Sequence, residues 1–422
     1  MNKLQTQRLV LGSIICLIGA LFYCYEFILR IVPGILQNEL TILFGNISAS
    51  TFGQISALYY FAYSPMQLPV GILMDRYGPK KLLTIACLCC TLGSLMFSYP
   101  TYLIVAGCGR FLVGFGSAFA FVGVLSLALN WLPYSFFSTV AGLMTTLGMM
   151  GLVYGEIKLT ELTYTLSLPN ILLSLVILGA IITALIFFII RDNPNKKVIE
   201  KASFTDLFIN FSAIIKTKEI WMIGVIGACL YTSLSVFGEL WGKSYLENAH
   251  NLTNSQSAKT MSMLFIGWAI GAPVSGFISD KFNNRILPLL IGAVFSFFTI
   301  SIVLYKQSLS YSALNFLMFT YGIFSSTEIL VFIMAKEYIN KASPSTIFAV
   351  TNMIVTLAGA ILQPLVGTLL DIFGKGIMNN NVYIYSNADY SKALTVIPGS
   401  LILTILILLF LNQKTSRRRD DL

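Results

Sequence analysis

The stretch that decides the fold is GILMDRYGPKK, at residues 71–81. A degraded copy, GFISDKFNNR, follows at residues 276–285. Each copy comes directly after a long apolar run, and each is crowded with charge. Asp75 and Asp280 hold the same position in the two copies and lie 205 residues apart, close to half of the 422-residue chain. The repeat therefore predicts two similar halves, each with a charged turn between two membrane spans.

The composition excludes an ordinary aqueous fold. Hydrophobic residues make up 56% of the chain and charged residues only 11%, whereas soluble domains carry roughly a quarter charged residues. Apolar stretches of about 20 residues, long enough to cross a bilayer as a helix, recur along the whole length. The first has no small-residue cleavage site, which favours a retained span over a signal peptide. We predict twelve spans, at about 9–36, 50–74, 81–99, 102–128, 136–157, 168–190, 219–245, 256–279, 285–305, 309–335, 343–370 and 391–411.

The basic residues predict how these spans are oriented. With alternating sides, nineteen Lys and Arg residues fall on one side of the membrane and six on the other. Positively charged loops stay in the cytoplasm. We therefore expect both termini and both copies of the turn to be cytoplasmic, in the inner membrane of a bacterial cell. The net charge of +9 then reflects these loops and gives no reason to expect a nucleic-acid partner.

The longest polar break predicts the division into domains. Residues 191–218 separate an N-terminal six-helix half, 1–190, from a C-terminal six-helix half, 219–422. Inside the break, apolar residues recur at helical spacing from Phe204 to Ile215. This pattern predicts a short amphipathic helix that lies on the membrane surface as part of a cytoplasmic linker.

The sequence offers no pattern typical of an enzyme or a cofactor site. All seven cysteines fall inside apolar runs, and the only histidine is His250. Three of the cysteines cluster at 87–90, but no other Cys or His cluster supports a soft-metal site there. We expect no metal, no cofactor and no catalytic constellation.

The charged turn resembles a signature of the major facilitator superfamily, Gly-x-x-x-Asp-Arg-x-Gly-x-Lys/Arg. The first copy matches it at Gly71, Asp75, Arg76, Gly78 and Lys80. The second copy keeps Gly276, Asp280, Lys281 and Arg285 but has Asn283 in place of the second glycine. The fourth span adds Arg110, Gly114 and Gly116, similar to that family's Arg-x-x-x-Gly-x-Gly pattern. The resemblance covers essentially the whole chain. It implies an all-α fold of twelve helices in two pseudo-symmetric halves, and a monomer that binds its solute near the membrane midplane.

The resemblance also implies that the turns work as a gate. In the family such turns hold the two halves together when the inner side is closed. Gly71 would let its helix approach a neighbour closely, and Asp75 would pair with a cation or face the N-terminus of another helix. Gly78 would permit the sharp reversal, and Lys80 would anchor the loop at the headgroups. The alternative is that these charges only fix the topology.

A third stretch of similar pattern lies in the eleventh span. QPLVGTLLDIFG, at residues 363–374, parallels QLPVGILMDRYG, at residues 67–78. The predicted topology places Asp371 on the outer side. The two interpretations are an external latch and a chance similarity between helices rich in Gly and Leu.

Charged side chains within the spans are the first candidates for a functional site, because burying them in a membrane is costly. Glu26 and Arg30 lie four residues apart and therefore on one face of the first helix, with Tyr23 beside them. The planar fork of Arg30 suits a carboxylate or a phosphate. Glu26 is suited to carry a proton or to bind a substrate amine; the alternative is a self-neutralising structural pair. In the family, the arginine at the position of Arg110 is associated with proton coupling, and Glu26 is its candidate partner.

The second half contributes two further acids. Glu328 lies within the tenth span. Glu239 lies toward the outer end of the seventh, so a solvated rim position is its alternative. Neutral polar side chains complete the predicted binding site, at Tyr60, Tyr63, Gln67 and Asn352.

These features predict a secondary transporter driven by an ion gradient. The chain has no nucleotide-binding motif, and its fifth span lacks the Gly-Pro pair typical of drug/proton antiporters, which favours uptake by symport. One cation among several acids suits a zwitterion better than a dianion, so we predict proton-coupled uptake of an amino acid or a small peptide. The first and seventh spans also look like those of bacterial amino-acid and nucleoside importers of the phagosomal type. The alternative is an organic-anion, organophosphate, nucleoside or siderophore permease.

Overall fold

The computed structural model describes residues 3–98, 102–133, 137–192, 204–306, 308–339, 344–374, 378–379, 382–383 and 385–420. Helices dominate this part of the chain. Up to the linker they are α1 Lys3–Ile35, α2 Gln37–Leu43, α3 Ala49–Met66, α4 Val70–Tyr77, α5 Pro79–Phe97, α6 Leu103–Ser117, α7 Ala120–Trp131, α8 Phe137–Leu162 and α9 Leu168–Ile189.

The predicted linker contains helix α10, Phe204–Ile215; residues 193–203 lie outside the described part. The helices that follow are α11 Lys218–Thr232, a π-helix Ser233–Trp241, α12 Gly242–His250, α13 Asn254–Lys281, α14 Ile286–Tyr305, α15 Tyr311–Ser325, a 3-10 turn Ser326–Ile329, α16 Leu330–Tyr338, α17 Pro344–Phe373, α18 Asn387–Leu394 and α19 Val396–Asp420. Two short strands, β1 Met378–Asn379 and β2 Val382–Tyr383, pair antiparallel between α17 and α18.

The prediction of an all-α membrane fold is confirmed. Eleven continuous helical segments of the described chain are long and apolar enough to cross a membrane. The second predicted span is divided, since α3 ends at Met66 and α4 begins at Val70. Pro69 occupies the N-cap of α4, and proline cannot donate the backbone hydrogen bond that would continue α3.

The turn at 71–81 has the local structure that its sequence predicts. Gly78 ends α4 with φ 80° and is also the N-cap of α5, which begins with Pro79. A positive φ is easy only for glycine, and proline is favoured in the first turn of a helix. The backbone N–H of Lys80 donates to Asp192 Oδ1 over 3.1 Å. The reversal is therefore fixed by contacts within residues 1–192.

The helices before the predicted linker, α1–α9, meet those after it along α3 and α17. A β-carbon at Gly53 of α3 would lie 2.8 Å from the carbonyl oxygen of Gln363, and one at Gly367 of α17 would overlap the carbonyl of Ala49. Small residues allow such close approach between helices that cross a membrane. The seam between α3 and α17 is thus packed backbone to backbone at one end of the bundle.

Candidate functional site

The two ends of the bundle differ. We call the end that carries residues 75–81 and 280–285 the turn face, and the opposite end, which carries residues 44–49 and Asp371, the far face. A cavity of about 650 Å³ extends from the middle of the bundle to the turn face, where Asp75, Asn210 and Ser345 line it. The site is therefore accessible from the turn face in this state.

The far face is sealed by contacts between the two halves of the chain. Asp371, at the end of α17, accepts hydrogen bonds from the backbone N–H groups of Ala49 and Ser50 over 3.1 and 3.0 Å. These are the first amides of α3, which have no partner inside that helix. Lys243 Nζ donates to the carbonyl of Ile35 over 2.8 Å. For the third stretch this geometry favours a latch between the halves over a chance similarity; its position on the outer side stays a prediction.

Arg30 is the centre of the site. Its Nη2 lies 3.3 and 3.2 Å from the two carboxylate oxygens of Glu26, as their spacing of four residues predicts. Its Nε donates to the hydroxyl of Tyr59 over 3.0 Å, and its Nη1 donates to the hydroxyl of Tyr231 over 3.2 Å. The same Nη1 lies 3.8 Å from Glu239 Oε1. Arg30 therefore connects the first helix to the seventh span at the end of the cavity that lies in the middle of the bundle.

Glu239 is a buried member of this cluster and not a solvated rim residue. Its side chain is 2% exposed, and it accepts a short hydrogen bond from the hydroxyl of Tyr60. Trp241 and Gly238 flank it within the π-helix. The predicted seventh span ended at residue 245, whereas the helical segment continues to His250, so Glu239 lies farther from its end than the sequence suggested.

Glu328 lies in the same cavity but has no such partners. It is 4% exposed and occupies the 3-10 turn between α15 and α16. Within the ranges that the structure describes, no hydrogen bond or ion pair involves its carboxylate. A buried carboxylate without a partner is costly, so this position favours a proton or a cationic group of a bound molecule.

The other predicted contacts divide into two groups. Tyr23, Tyr63, Gln67 and Asn352 line the cavity as expected. Tyr60 does not: its side chain is 1% exposed and its hydroxyl points to Glu239. In this state Tyr60 is therefore a partner of Glu239 and not a direct solute contact.

The expected pairing of Arg110 with Glu26 is wrong. Arg110 Nη1 donates to the carbonyl of Leu29 over 2.9 Å, and its guanidinium lies 5.1 Å from the centre of the Tyr59 ring. The Tyr59 hydroxyl donates to Glu26 over 3.2 Å. Tyr59 thus contacts both charged groups, and within the described residues no hydrogen bond or ion pair joins Arg110 to Glu26.

Among the residues that the structure describes, the gating residues form no hydrogen bond or ion pair across the turn face in this state. Asp75 and Arg76 are exposed, and Asp75 forms no hydrogen bond or ion pair with any described residue. The expected close approach at Gly71 is absent from the described structure, because no atom of another element lies within 4 Å of a β-carbon built there; the same holds at Gly276. The cavity occupies the space beside Gly71.

The second copy of the turn is held within its own half. Arg285 Nη1 lies 2.6 Å from Asp280 Oδ1, and its Nε lies 3.0 Å from Glu337 Oε1. Lys281 is exposed, with its ammonium 6.0 Å from the Phe282 ring. The gating role of both turns stays a prediction.

Sequence reasoning missed Tyr231 and the aromatic side chains that surround the cavity. Phe27, Trp268 and Phe332 line it, and the Phe27 ring lies 4.4 Å from the Arg30 guanidinium. The 205-residue offset between the two turns maps Glu26 onto Tyr231. Applying that offset to the charged pair of the first span would have identified Tyr231.

Comparisons with known proteins agree with this architecture. A Major Facilitator Superfamily model matches residues 14–363. The chain is 21% identical to a probable sulfoacetate transporter of Cupriavidus necator over 69% of this chain and 70% of that protein. It is 25% identical to a hexuronate transporter of Bacillus subtilis over 63% and 62%.

Solved structures show the same fold. A bacterial homologue of the human lysosomal transporter Spinster, in an inward-facing and unoccupied conformation, superposes with a TM-score of 0.76 at 18% identity, over 95% of this chain and 96% of that one. The nucleoside transporter NupG gives a TM-score of 0.76 at 14% identity, over 94% and 99%. Since the family model spans most of its length, this chain belongs to the Major Facilitator Superfamily and is a membrane transporter, not an enzyme.

Proposed function

We propose that this transporter takes up a small solute with one carboxylate and one ammonium group, an amino acid or a small peptide, together with a proton. The carrying observation is the charge of the central cluster. One guanidinium, that of Arg30, lies against Glu26 and Glu239, and Glu328 lines the same cavity without a partner. Acids outnumber the cation, so a solute that brings its own positive charge balances the site better than a dianion.

Each charged group has a proposed role. Arg30 binds the solute carboxylate with its planar fork. Glu239 or Glu328 binds the ammonium group, and the unpartnered carboxylate of Glu328 is the more available of the two. Tyr23, Tyr63, Gln67 and Asn352 supply neutral contacts around the cavity. A site of this kind selects solutes by the placement of two opposite charges.

Proton coupling follows from competition for Arg30. The guanidinium already contacts Glu26, Tyr59, Tyr231 and Glu239, so a solute carboxylate has to replace one of these partners. Protonation of Glu26 removes its charge and releases Nη2. Solute binding is then favoured on the side where protons are abundant. Arg110 acts on Glu26 indirectly, through its contact with Tyr59.

The orientation and the gate complete the proposal. The basic residues favour a cytoplasmic turn face and cytoplasmic termini in a bacterial inner membrane. The protein works as a monomer, whose halves, 1–190 and 219–422, rock about the site with residues 191–218 as their linker. The turns around Asp75 and Asp280 hold the halves together once the turn face closes.

The relatives support a second candidate, an organic anion. Those compared above are named as sulfoacetate and hexuronate transporters, and two further ones as probable galactarate/D-glucarate transporters. A monoanion without an ammonium group would replace one partner of Arg30, as the carboxylate of a zwitterion would. It would leave Glu328 to be neutralised by a proton.

Matched pairs of solutes distinguish the two candidates. In proteoliposomes with an imposed pH gradient, uptake of labelled amino acids and dipeptides is compared with uptake of 2-hydroxy acids of the same skeleton, such as L-alanine against L-lactate. Hexuronates, nucleosides and phosphorylated sugars serve as unlabelled competitors. We expect the amine-bearing member of a pair to be transported and Glu328→Gln to lower the preference for it about tenfold or more. Transport of the hydroxy acids alone would replace this proposal by the organic-anion one.

A second variant tests the coupling. We expect Glu26→Gln to abolish accumulation driven by the pH gradient while solute exchange across the membrane continues. Unchanged accumulation in Glu26→Gln would remove this residue from the coupling role. Glu161→Gln, which changes a carboxylate that is exposed and paired only with Lys158, is the matched control.

A further inference from the structure

The segment that carries Glu239 has an uncommon backbone. Ser233–Trp241 forms a π-helix of nine residues, all of them buried. In this pattern the backbone bonds join residues five apart, whereas they join residues four apart in an α-helix; most π-helical segments are single turns. At its end, the N–H of Gly242 donates to the carbonyl of Phe237.

Two glycines make room for this backbone. A β-carbon at Gly238 would lie 3.1 Å from the carbonyl oxygen of Ser233, and one at Gly242 would lie 2.6 Å from that of Phe237. In both cases the nearby carbonyl is five residues earlier, the spacing of the π pattern. The absence of a side chain at these positions permits the pattern but does not enforce it.

Gln363 of α17 contacts the π-helix at two points. Its side-chain Nε2 donates to the carbonyl of Ser235 over 2.6 Å. Its backbone carbonyl accepts a hydrogen bond from the indole N–H of Trp241 over 3.1 Å. Gln363 is 3% exposed and does not line the cavity. Its Oε1 has no hydrogen-bond partner in the described structure, so the amide is oriented by its donor alone.

The pattern decides where the Glu239 carboxylate points. A π-helix holds more residues per turn than an α-helix. Conversion of the segment to an α-helix would therefore rotate Glu239 about the axis by an angle on the order of 100°. The carboxylate would leave the hydroxyl of Tyr60 and Nη1 of Arg30.

We propose that Gln363 is a positioning residue for transport, which holds the π-helix Ser233–Trp241 and thereby keeps the Glu239 carboxylate against Tyr60 and Arg30. The importance of this position rests on the role proposed for Glu239. The same residue also belongs to the α3–α17 seam near the far face, because the carbonyl of Gln363 packs on Gly53 of α3. Gln363 therefore contacts both the seam and the helix that carries Glu239.

The test uses the full chain in detergent and two measurements that require no solute. Hydrogen–deuterium exchange of the peptide spanning residues 233–242 reports the stability of the π-helix. Labelling of Glu239 by a hydrophobic carbodiimide, quantified by mass spectrometry, reports how firmly its carboxylate is held. In Gln363→Met, which keeps the length but removes the donor, we expect both rates to rise about tenfold.

Gln363→Glu distinguishes positioning from general packing. A protonated glutamic acid can still donate to the Ser235 carbonyl, whereas a carboxylate cannot. We expect this variant to match Gln363→Met at about pH 8 and to approach the unmodified protein at about pH 5. Thr351→Val is the matched control, since Thr351 is buried in α17 and its hydroxyl donates to the carbonyl of Ile347 in the same helix; both rates should stay within about twofold of the unmodified protein.

Rates in Gln363→Met equal to those in Thr351→Val would overturn the proposal, as would a Gln363→Glu variant that shows no recovery at low pH. Should Gln363→Met not fold, the pH response of Gln363→Glu decides alone. A role for Glu239 in transport is tested separately, by uptake in Glu239→Gln. A failure of the proposed function therefore appears in uptake, and a failure of this inference appears in exchange and labelling.

Discussion

The far face and the turn face of the α3–α17 pair carry similar residues, but the halves are in contact at the far face and apart at the turn face. At the far face, Asp371 meets the first amides of α3. At the turn face, Asp75 ends the α3–α4 span in the same sequence pattern, yet it is exposed and faces the cavity that Ser345 of α17 also lines. The local sequence pattern is similar at both ends. What differs is the distance between the halves. The same pattern therefore forms a contact at Asp371 and leaves Asp75 exposed.

The comparison becomes measurable with two pairs of spin labels in a variant whose seven cysteines are replaced. Labels at Tyr164 and Ala388 report the width of the far face, and labels at Lys81 and Lys336 report the width of the turn face. All four side chains are exposed. In the unmodified protein we expect one dominant short distance for the far-face pair.

The largest effect is expected from Arg30→Met, which removes the cation that connects the first helix to the seventh span midway between the two faces. Glu26 and Glu239 lose their shared cation, and removing one partner from a buried ion pair costs about 3–5 kcal/mol. The free energy of unfolding should fall by that amount, and uptake should be lost. Denaturation in detergent measures the first quantity and proteoliposomes the second.

The matched control is Lys158→Met. It removes an ion pair of similar length, 3.0 Å, whose side chains are 49% and 56% exposed. Exposed pairs contribute about 0–1 kcal/mol. Equal losses of stability in the two variants would show that the central cluster is no stronger than a surface pair.

Asp371→Ala should open the far face. The carboxylate caps two amides of α3 across the seam, and loss of such a cap costs about 0.5–2 kcal/mol. The population with a wide far-face distance should rise about two- to thirtyfold, while the turn-face pair shifts toward shorter distances. Asp389→Ala is the control, because Asp389 caps α18 within its own half through Ser386. An unchanged far-face distance in Asp371→Ala would make the similarity of 363–374 to 67–78 a matter of chance.

Tyr385→Phe should have the same direction and a smaller size. The Tyr385 hydroxyl donates to Asp371 and accepts from the N–H of Ala49 over 3.0 Å, which corresponds to about 0.5–1.5 kcal/mol. Burial and the hydrogen bond to Asp371 raise the pKa of Tyr385. Its phenol stays protonated, so the difference from the unmodified protein should be constant between about pH 6 and pH 9. A difference that disappears within this range would show that the phenol titrates there.

Asp75→Asn should leave the structure with an open turn face unchanged, in contrast to the effect expected of Asp371→Ala. Because Asp75 has no partner among the described residues, the free energy of unfolding should stay within about 0.5 kcal/mol of the unmodified protein. Both label distances should be unchanged. Uptake should nevertheless fall, since the closed turn face loses its proposed contact. A marked loss of stability in Asp75→Asn would mean that the carboxylate already has a role in the open state.

The sequence alone determined the features that depend on neighbours along the chain. Apolar length predicted the spans, and the two turn motifs predicted the family. The spacing of four residues predicted the contact between Glu26 and Arg30, because an α-helix turns by a fixed angle per residue. The similarity of residues 363–374 to 67–78 pointed to Asp371 before its partner was known.

Only the tertiary structure decided the contacts that depend on how distant helices pack. Arg110 bonds to the carbonyl of Leu29 and lies over the Tyr59 ring, and no spacing in the sequence records that position. Glu239 reaches Arg30 because its helix adopts the π pattern, which Gln363 contacts from 122 residues away along the chain. Helical spacing acts within a few residues, whereas the closed far face and the open cavity depend on the relative placement of the two halves.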